Sequence, residues 1–267
     1  MQSILANNLK ISYIDVGSGP ALLLLHGFSL DHTMWENQIR DLEKKYRIIV
    51  PDLRGSGLTG NSMEEVSIQL MADDINAFID ALNIRSIAIA GFSMGGYILL
   101  EMLLRDPRTI RAAAFLSTRA SSDSIEGMKK REKQMIDIIN EGTKRFAKNF
   151  SPEIFGDVFV KNNPEYVQKV EEIISKQNPE NIAKLLNAIR LRQDHTLRLK
   201  EINIPCAVIG GTEDRLIPKE DFQELNNFLP NSTFHLLEHI GHMTPSESPD
   251  SVSFILDELL QNSGMWI

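Results

Sequence analysis

Short apolar runs alternate with segments of helical periodicity along the first part of the chain. Ala21–Leu25 is a continuous apolar run of strand length, which predicts a strand buried on both faces. Leu9–Val16 alternates apolar and polar positions, as expected of an edge strand, and apolar residues recur at helical spacing over 66–82. The same pattern predicts helices over 34–45 and 95–105 and strands over 47–50, 86–90 and 112–116.

The pattern changes between about residues 121 and 200, where helical segments are broken by glycine and proline and no convincing strand occurs. Alternation then resumes with strands over 207–210 and 233–237 and helices over 218–228 and 249–260. Strands that alternate with helices predict a mostly parallel sheet covered on both faces. We therefore expect an α/β core over residues 1–119 and 201–267. A helical cap over 120–200 would lie at the carboxyl ends of the strands, where ligands bind in such sheets.

The most informative segment for chemistry is Gly91-Phe92-Ser93-Met94-Gly95, which follows a predicted buried strand and precedes a predicted helix. In that context the pattern is a nucleophile elbow. The turn is so tight that the serine must adopt a strained backbone conformation, at a cost of about 1–3 kcal/mol. Side chains at the two flanking glycines would collide with neighbouring backbone. Ser93 is therefore the predicted nucleophile, held at a helix N-terminus that favours negative charge.

A serine hydroxyl needs a base, and in this arrangement the acid and then the histidine follow the serine along the chain. The loop after strand 207–210 contains Glu213 and Asp214, and the loop after strand 233–237 contains His239 and His242. His242 is favoured because Gly241 precedes it and leaves space for the ring to reach the serine. Asp214 is favoured over Glu213 by its shorter reach and its turn context, and it would hold the imidazole tautomer.

Two further strand ends contain polar residues. His26-Gly27-Phe28 ends an early strand, so that the backbone N–H of Phe28, together with that of Met94, would form an oxyanion hole. His26 is expected to be a structural hydrogen-bonding residue rather than a catalyst. Asp52 and Arg54 follow another strand, and a turn-stabilising pair is the favoured interpretation over a catalytic one.

Composition and charge narrow the class of partner and the cellular compartment. The net charge of −8 offers no basic footprint for a nucleic acid. A lone cysteine, Cys206, cannot form an internal disulfide and fits a reducing compartment. No secretion signal or apolar run long enough to span a membrane is visible, so cytoplasmic residence is expected. The histidines lack metal-ligand spacing, so no metal site is expected.

Together these segments resemble the α/β-hydrolase superfamily. The resemblance covers about residues 9–118 and 203–260 and rests on the motifs at His26, Asp52, Ser93 and His242. It implies the α/β-hydrolase fold, with an eight-stranded, mostly parallel sheet and an inserted cap. Within the superfamily the chain is similar to bacterial carboxylesterases and 3-oxoadipate enol-lactonases, although Ser117 stands where that branch usually has Asp. A serine nucleophile is unlike the aspartate of the related haloalkane dehalogenases and epoxide hydrolases.

The resemblance implies ester hydrolysis through an acyl-enzyme, without a cofactor. A small-molecule ester or lactone is the expected partner, and a homodimer stays an open alternative. A carboxylesterase for small, largely apolar acyl groups is favoured over a lactonase or carbon–carbon bond hydrolase; the remote alternative is a non-catalytic receptor. An anionic lactone would require inward-facing arginines. The predicted substrate-binding residues lie beside the catalytic loops and in the cap: Trp35, Arg119, Met135, Phe146, Phe155, Ile217 and Met243.

Overall fold

A computed structural model of the protein describes residues 1–60 and 65–265. Its strands form a single eight-stranded sheet in the order β1-β2-β4-β3-β5-β6-β7-β8. The strands are β1 Gln2–Ala6, β2 Leu9–Val16, β3 Ala21–Leu25, β4 Arg47–Pro51, β5 Ile87–Phe92, β6 Ile110–Leu116, β7 Cys206–Gly211 and β8 Ser232–Leu237. β1 and β4 run antiparallel to β2, and all other neighbours are parallel.

Helices cover both faces of the sheet. Those outside the 120–200 region are α1 Glu36–Leu42, α2 Ile68–Ala81, α3 Met94–Arg105, α9 Lys219–Phe228, α10 Thr244–Glu247 and α11 Pro249–Gln261. Between β6 and β7 lie α4 Ile125–Glu141, α5 Thr143–Glu153, α6 Asp157–Asn162, α7 Pro164–Ser175 and α8 Pro179–Arg190. Short 3-10 helices occupy His32–Trp35 and Thr196–Glu201. The division into a core and a separate cap stays a prediction, and we use the word cap for the segment α4–α8.

The apolar strand β3 shows how the sheet separates two layers of core. Leu23 and Leu25 pack with α2, α3 and α9 on one face, whereas Leu22 and Leu24 pack with α11 on the other. All four leucines are fully or almost fully buried. Since successive side chains of a strand point to opposite faces, a continuous apolar run supplies both layers at once. The predicted α/β-hydrolase fold is confirmed, with β3 and β5 near the centre of the sheet.

The edge of the sheet differs from the prediction. β2 was expected at the edge, but β1 pairs outside it, so the prediction of β2 as an edge strand is wrong. The hairpin between them turns at Asn7 and Asn8, which both have positive φ values of 47° and 58°. Asparagine tolerates this region better than most residues, and two such residues in sequence suit a two-residue hairpin turn. β1 was not predicted because most of its side chains are exposed and its apolar pattern is weak.

Candidate active site

Ser93 lies in the tight turn between β5 and α3, and its backbone is strained, with φ 51° and ψ −112°. The flanking glycines show why the chain can turn there. A Cβ at Gly91 would lie 2.5 Å from the backbone oxygen of Gly95, and a Cβ at Gly95 would lie 2.5 Å from that of Leu25. Both distances are below any ordinary non-bonded contact, so a side chain at either position would force the strand, the helix or β3 apart. The turn projects Ser93 above the carboxyl end of the sheet.

Three side chains form a continuous hydrogen-bonded chain at this edge. His242 Nε2 lies 3.0 Å from Ser93 Oγ, and His242 Nδ1 lies 2.7 Å from Asp214 Oδ2. Asp214 Oδ1 accepts hydrogen bonds from the backbone N–H groups of Leu216 and Ile217, at 2.8 and 2.9 Å. The side chains of His242 and Asp214 are almost completely buried. With Nδ1–H donating to the carboxylate, Nε2 is left to accept the serine proton, which is the tautomer that base catalysis requires.

The neighbouring histidine and glutamate, which the sequence left as alternatives, lie apart from the serine. His239 is exposed on the surface, and its Nδ1 lies 3.3 Å from Glu213 Oε1. Gly241 lies against the cap, because a Cβ there would lie 2.3 Å from the backbone nitrogen of Gly156. Gly241 therefore makes room for the backbone of the cap, and the space it leaves for the ring of His242 stays a prediction.

The loop after β3 lies directly beside the serine. A Cβ on Gly27 would come within 3.3 Å of the Cβ of Ser93 and 2.7 Å of the Phe92 ring, so this backbone passes very close to the elbow. Phe28 follows Gly27 and lines the same cavity as Ser93. Met94 is the first residue of α3, where the backbone N–H groups have no acceptor within the helix. The assignment of these two N–H groups to an oxyanion hole stays a prediction.

His26 connects the loop that contains Gly27 and Phe28 to the loop after β4, which contains Asp52 and Leu53. The buried His26 ring accepts a hydrogen bond from the Leu53 N–H through Nε2 at 2.9 Å, and its Nδ1–H donates to the Gly27 carbonyl at 2.8 Å. Burial lowers the pKa of His26, in keeping with a neutral ring whose two nitrogens are both used. His26 thus ties the loop after β3 to the loop after β4.

Asp52 and Arg54 were expected to form a pair, but each binds a different partner. Asp52 Oδ1 lies 2.8 Å from His32 Nδ1, and Asp52 Oδ2 accepts from the Leu58 N–H at 2.8 Å. Arg54 binds the carboxylate of Asp74 through two hydrogen bonds of 2.6 Å. Asp52 therefore connects the loop after β4 with the 3-10 helix at His32, and Asp74 connects that loop with α2. Neither carboxylate is hydrogen-bonded to Ser93 or His242.

A cavity of about 190 Å³ opens in front of Ser93 and His242. Its walls combine residues of the catalytic loops with residues of α4, α5 and α8. Phe28 packs edge-on against Phe146 and Phe150, and these two cap rings stack on each other with centroids 4.9 Å apart. The other apolar lining residues are Leu30, Phe92, Tyr97, Ile154, Leu186, Ile189, Leu216, Ile217 and Met243. The part of the wall formed by α5 and α8 is therefore apolar, whereas α4 contributes Gly127, Lys130, Arg131 and Gln134.

Of the seven predicted substrate-binding residues, four line this cavity: Arg119, Phe146, Ile217 and Met243. The other three pack elsewhere. Trp35 is fully buried in the core of the α11 face, and Met135 packs against Ile138 of its own helix and two residues of α8. Phe155 is fully buried and stacks on Phe159 within the cap, with ring centroids 5.0 Å apart.

The sequence missed several lining residues, of which Tyr97, Leu186, Ile189 and Leu216 are apolar or aromatic. Helical periodicity in α8 could have placed Leu186 and Ile189 on one buried face. It could not have shown which element that face contacts. Leu216 lies two residues after Asp214, and this closeness to the predicted acid was the signal that could have placed it at the cavity.

Charged side chains also line the cavity, and they include Lys130 and Arg215, of which Arg215 binds Asp157. Arg119 and Arg131 line the cavity as well, and both bind Asp123, which also contacts the buried Arg192. Arg119 additionally binds Asp221 at 3.0 Å. Burial opposes ionisation of Asp123, but its arginine neighbours outweigh this and lower its pKa. These arginines therefore already have carboxylate partners. Among the described residues no group of three or more His, Cys, Asp or Glu side chains is arranged to hold a metal ion.

A mostly parallel sheet with a serine, a histidine and an aspartate linked at the carboxyl ends of its strands is the arrangement of α/β hydrolases. The chain belongs to the α/β-hydrolase fold family, whose model matches residues 20–249, and it is a hydrolase of that family. Within residues 1–60 and 65–265, every helix is too short or too polar to cross a membrane.

Relatives with different named activities share this fold. A 3-oxoadipate enol-lactonase of Acinetobacter baylyi is 24% identical over 97% of this chain and 96% of its own length. A thermophilic esterase from Thermogutta terrifontis superposes with a TM-score of 0.93, at 29% identity and 98% coverage of each chain. A meta-cleavage product hydrolase from Pseudomonas fluorescens superposes with a TM-score of 0.84, at 22% identity, covering 99% of this chain and 98% of its own.

Proposed function

We propose that the protein hydrolyses carboxylic esters with small to medium, largely apolar acyl groups through an acyl-enzyme on Ser93. The observation that carries the proposal is the chain from Ser93 Oγ through His242 to the buried Asp214, with links of 3.0 and 2.7 Å, facing a cavity. A nucleophile in reach of a base that is itself oriented by a third group is the signature of covalent acyl transfer.

In the proposed reaction, Ser93 Oγ attacks the ester carbonyl while His242 Nε2 accepts its proton. The carbonyl oxygen becomes an oxyanion, which the backbone N–H groups of Phe28 and Met94 stabilise; one such donor contributes about 2.7–4 kcal/mol. The imidazolium then donates its proton to the departing alcohol, leaving the acyl group on the serine. Water then attacks the acyl-enzyme while the same imidazole removes a proton from the water. The imidazolium returns this proton to Ser93 Oγ as the acyl–Oγ bond breaks, and the carboxylic acid leaves.

The size and lining of the cavity support a small apolar acyl group. Its volume of about 190 Å³ is below the range of roughly 300–1,000 Å³ that is usual for drug-sized ligands. The stacked phenylalanines of α5 and the aliphatic side chains of α8 form an apolar part of the wall. Arg119, and Arg131 of the cap helix α4, are bound to Asp123 and Asp221, which reduces the positive charge that they offer to a ligand. A neutral ester is therefore favoured over an anionic substrate.

A lactone with an anionic group is the second candidate, because Arg119 and Arg131 do line the cavity and one relative is named as an enol-lactonase. This candidate requires a substrate carboxylate to compete with Asp123 for an arginine. Carbon–carbon bond hydrolysis shares the same catalytic residues and is distinguished by substrate alone. Cytoplasmic residence and a small-molecule partner stay predictions.

The test begins with a fluorophosphonate probe and peptide mapping of the labelled protein. Labelling of Ser93 in the wild type, and its loss in Ser93→Ala with an unchanged circular dichroism spectrum, is the expected result. An unlabelled wild type would contradict the enzyme proposal and favour a non-catalytic receptor. A panel of p-nitrophenyl esters of increasing acyl length, neutral lactones and lactones with a carboxylate then separates the candidates. Preference for the anionic lactones would overturn the choice of a neutral ester.

A further inference from the structure

Two carboxylates close in sequence to Asp214 and His242 bind neighbouring backbone amides of the cap. Glu247, five residues after His242, accepts a hydrogen bond from the N–H of Gly156 at 2.9 Å. Glu213, next to Asp214, accepts one from the N–H of Asp157 at 3.3 Å. The start of α6 is therefore tied to both loops that bring acid and base to the serine.

The Glu247 contact is the shorter of the two, and Glu247 also binds the residue that precedes His242. The same oxygen, Oε2, also accepts from the N–H of Gly241 at 3.0 Å, and Gly241 immediately precedes His242. One carboxylate oxygen thus holds a cap amide and a catalytic-loop amide together. Burial raises the pKa of the Glu247 carboxyl, although the backbone hydrogen bonds from Gly241 and Gly156 oppose that rise.

The backbones of the two segments are in direct contact at this point. A Cβ on Gly241 would lie 2.3 Å from the nitrogen of Gly156, and a Cβ on Gly156 would lie 3.1 Å from Glu247 Oε2. On the other side of the histidine, the N–H of Met243 donates to the carbonyl of Ile154 at 3.0 Å. Both neighbours of His242 are therefore fixed by contacts that involve cap residues 154–156.

We propose that Glu247 is a positioning residue that couples the cap to His242, holding the imidazole within reach of Ser93 only while cap residues 154–156 are seated on the catalytic loop. The proposal rests on the proposed function, since it concerns the same base. Nothing in the acyl-transfer steps requires Glu247 itself, because its carboxylate contacts backbone amides and not the reacting atoms. Its effect on catalysis is geometric, and a misplacement of about 1 Å can cost on the order of 100-fold in rate.

The test compares Glu247→Ala with Glu247→Gln. Alanine removes the shared acceptor, and we expect kcat for a short ester and the rate of fluorophosphonate labelling to fall about 10- to 100-fold, with a much smaller change in KM. Glutamine keeps an oxygen at the position of Oε2, so it is expected to restore most of the rate. Glu213→Gln is the matched control, since Glu213 holds only the longer cap contact and an exposed histidine, and its rate should stay close to the wild type.

A purely structural role for Glu247 predicts a different result. Glu247→Ala would then melt at a lower temperature but keep its kcat and labelling rate where it is folded, and that outcome would overturn the proposal. Equal losses in the alanine and glutamine variants would also overturn it. If Glu247→Ala does not fold, Gly156→Ala perturbs the same contact from the cap side, and an unchanged labelling rate in that variant refutes the coupling. Failure of wild-type Ser93 to label would instead refute the proposed function.

Discussion

Replacing Asp214 with asparagine is expected to abolish most of the activity by forcing His242 into the wrong tautomer. The two oxygens of Asp214 have separate tasks: Oδ1 accepts from the N–H groups of Leu216 and Ile217, and Oδ2 accepts from His242. In the variant the amide oxygen must occupy the Oδ1 position, because an NH₂ group there would face two N–H donors. Each buried donor left without its acceptor would cost about 1–3 kcal/mol.

With the oxygen fixed in this way, the asparagine NH₂ group faces His242 Nδ1. That nitrogen must then accept a hydrogen bond, so the ring proton moves to Nε2, which points at Ser93 Oγ from 3.0 Å. Nε2 can no longer accept the serine proton. The equivalent substitution in a serine protease triad lowers kcat by about 10⁴-fold, which corresponds to about 5.4 kcal/mol at 1.36 kcal/mol per factor of ten.

The assay is the initial rate of hydrolysis of a p-nitrophenyl ester under saturating substrate, with urea unfolding as the measure of stability. We expect kcat of Asp214→Asn to fall by about 10⁴-fold while the midpoint of unfolding changes little, since the backbone contacts of the side chain persist. Glu213→Gln is the adjacent control that removes a carboxylate without touching His242. A loss of less than tenfold in Asp214→Asn would refute the tautomer argument, and an equal loss in the control would point to a general charge effect.

Three further predictions concern groups outside the catalytic chain. Asp123→Asn leaves three arginines without their shared carboxylate, so the free energy of unfolding in urea should fall by about 3–5 kcal/mol; an unchanged value would show that the cluster contributes nothing. Burial raises the pKa of Cys206 to about 12, so a thiol reagent at about pH 8 should react only after unfolding, and rapid labelling of the native protein would contradict this. Despite the opposing effect of burial, the hydrogen bond to Asp52 raises the pKa of His32 above 6.5. The stability that His32 adds is therefore present below pH 6.5 and lost as the pH rises through the folded pKa. The difference in melting temperature between wild type and His32→Asn should shrink as the pH rises, and a difference that is constant with pH would contradict this prediction.

Sequence reasoning located the elbow because its requirements are local. A strand, two glycines that permit backbone contact and a helix must follow each other within a few residues, so the motif carries its own structural context. The acid and the histidine were then found by their order and by the strands that precede them. The structure links Ser93 to His242 and His242 to Asp214 by hydrogen bonds, although their catalytic roles stay predictions.

The errors arose where the outcome depends on which segments meet. The close approach of Gly241 to the backbone of Gly156, 85 residues earlier in the chain, was not predicted. Arg54 was paired with the nearby Asp52, but its partner Asp74 comes from α2. Periodicity shows that a residue is buried; it does not show which distant element covers it, so pairings of this kind need the fold.

The same limit explains why the substrate is harder to infer than the reaction. The reaction depends on three side chains at strand ends, and parallel strands bring their carboxyl ends to one edge. The acyl pocket depends on how α4, α5 and α8 rest on that edge, and the stacked Phe146 and Phe150 meet Phe28 only in the folded chain. Because cap residues also hold the amides on both sides of His242, a change in the cap would alter pocket and base together. Substitutions in the cap should therefore change kcat as well as KM, and an effect confined to KM would mean that pocket and base are independent.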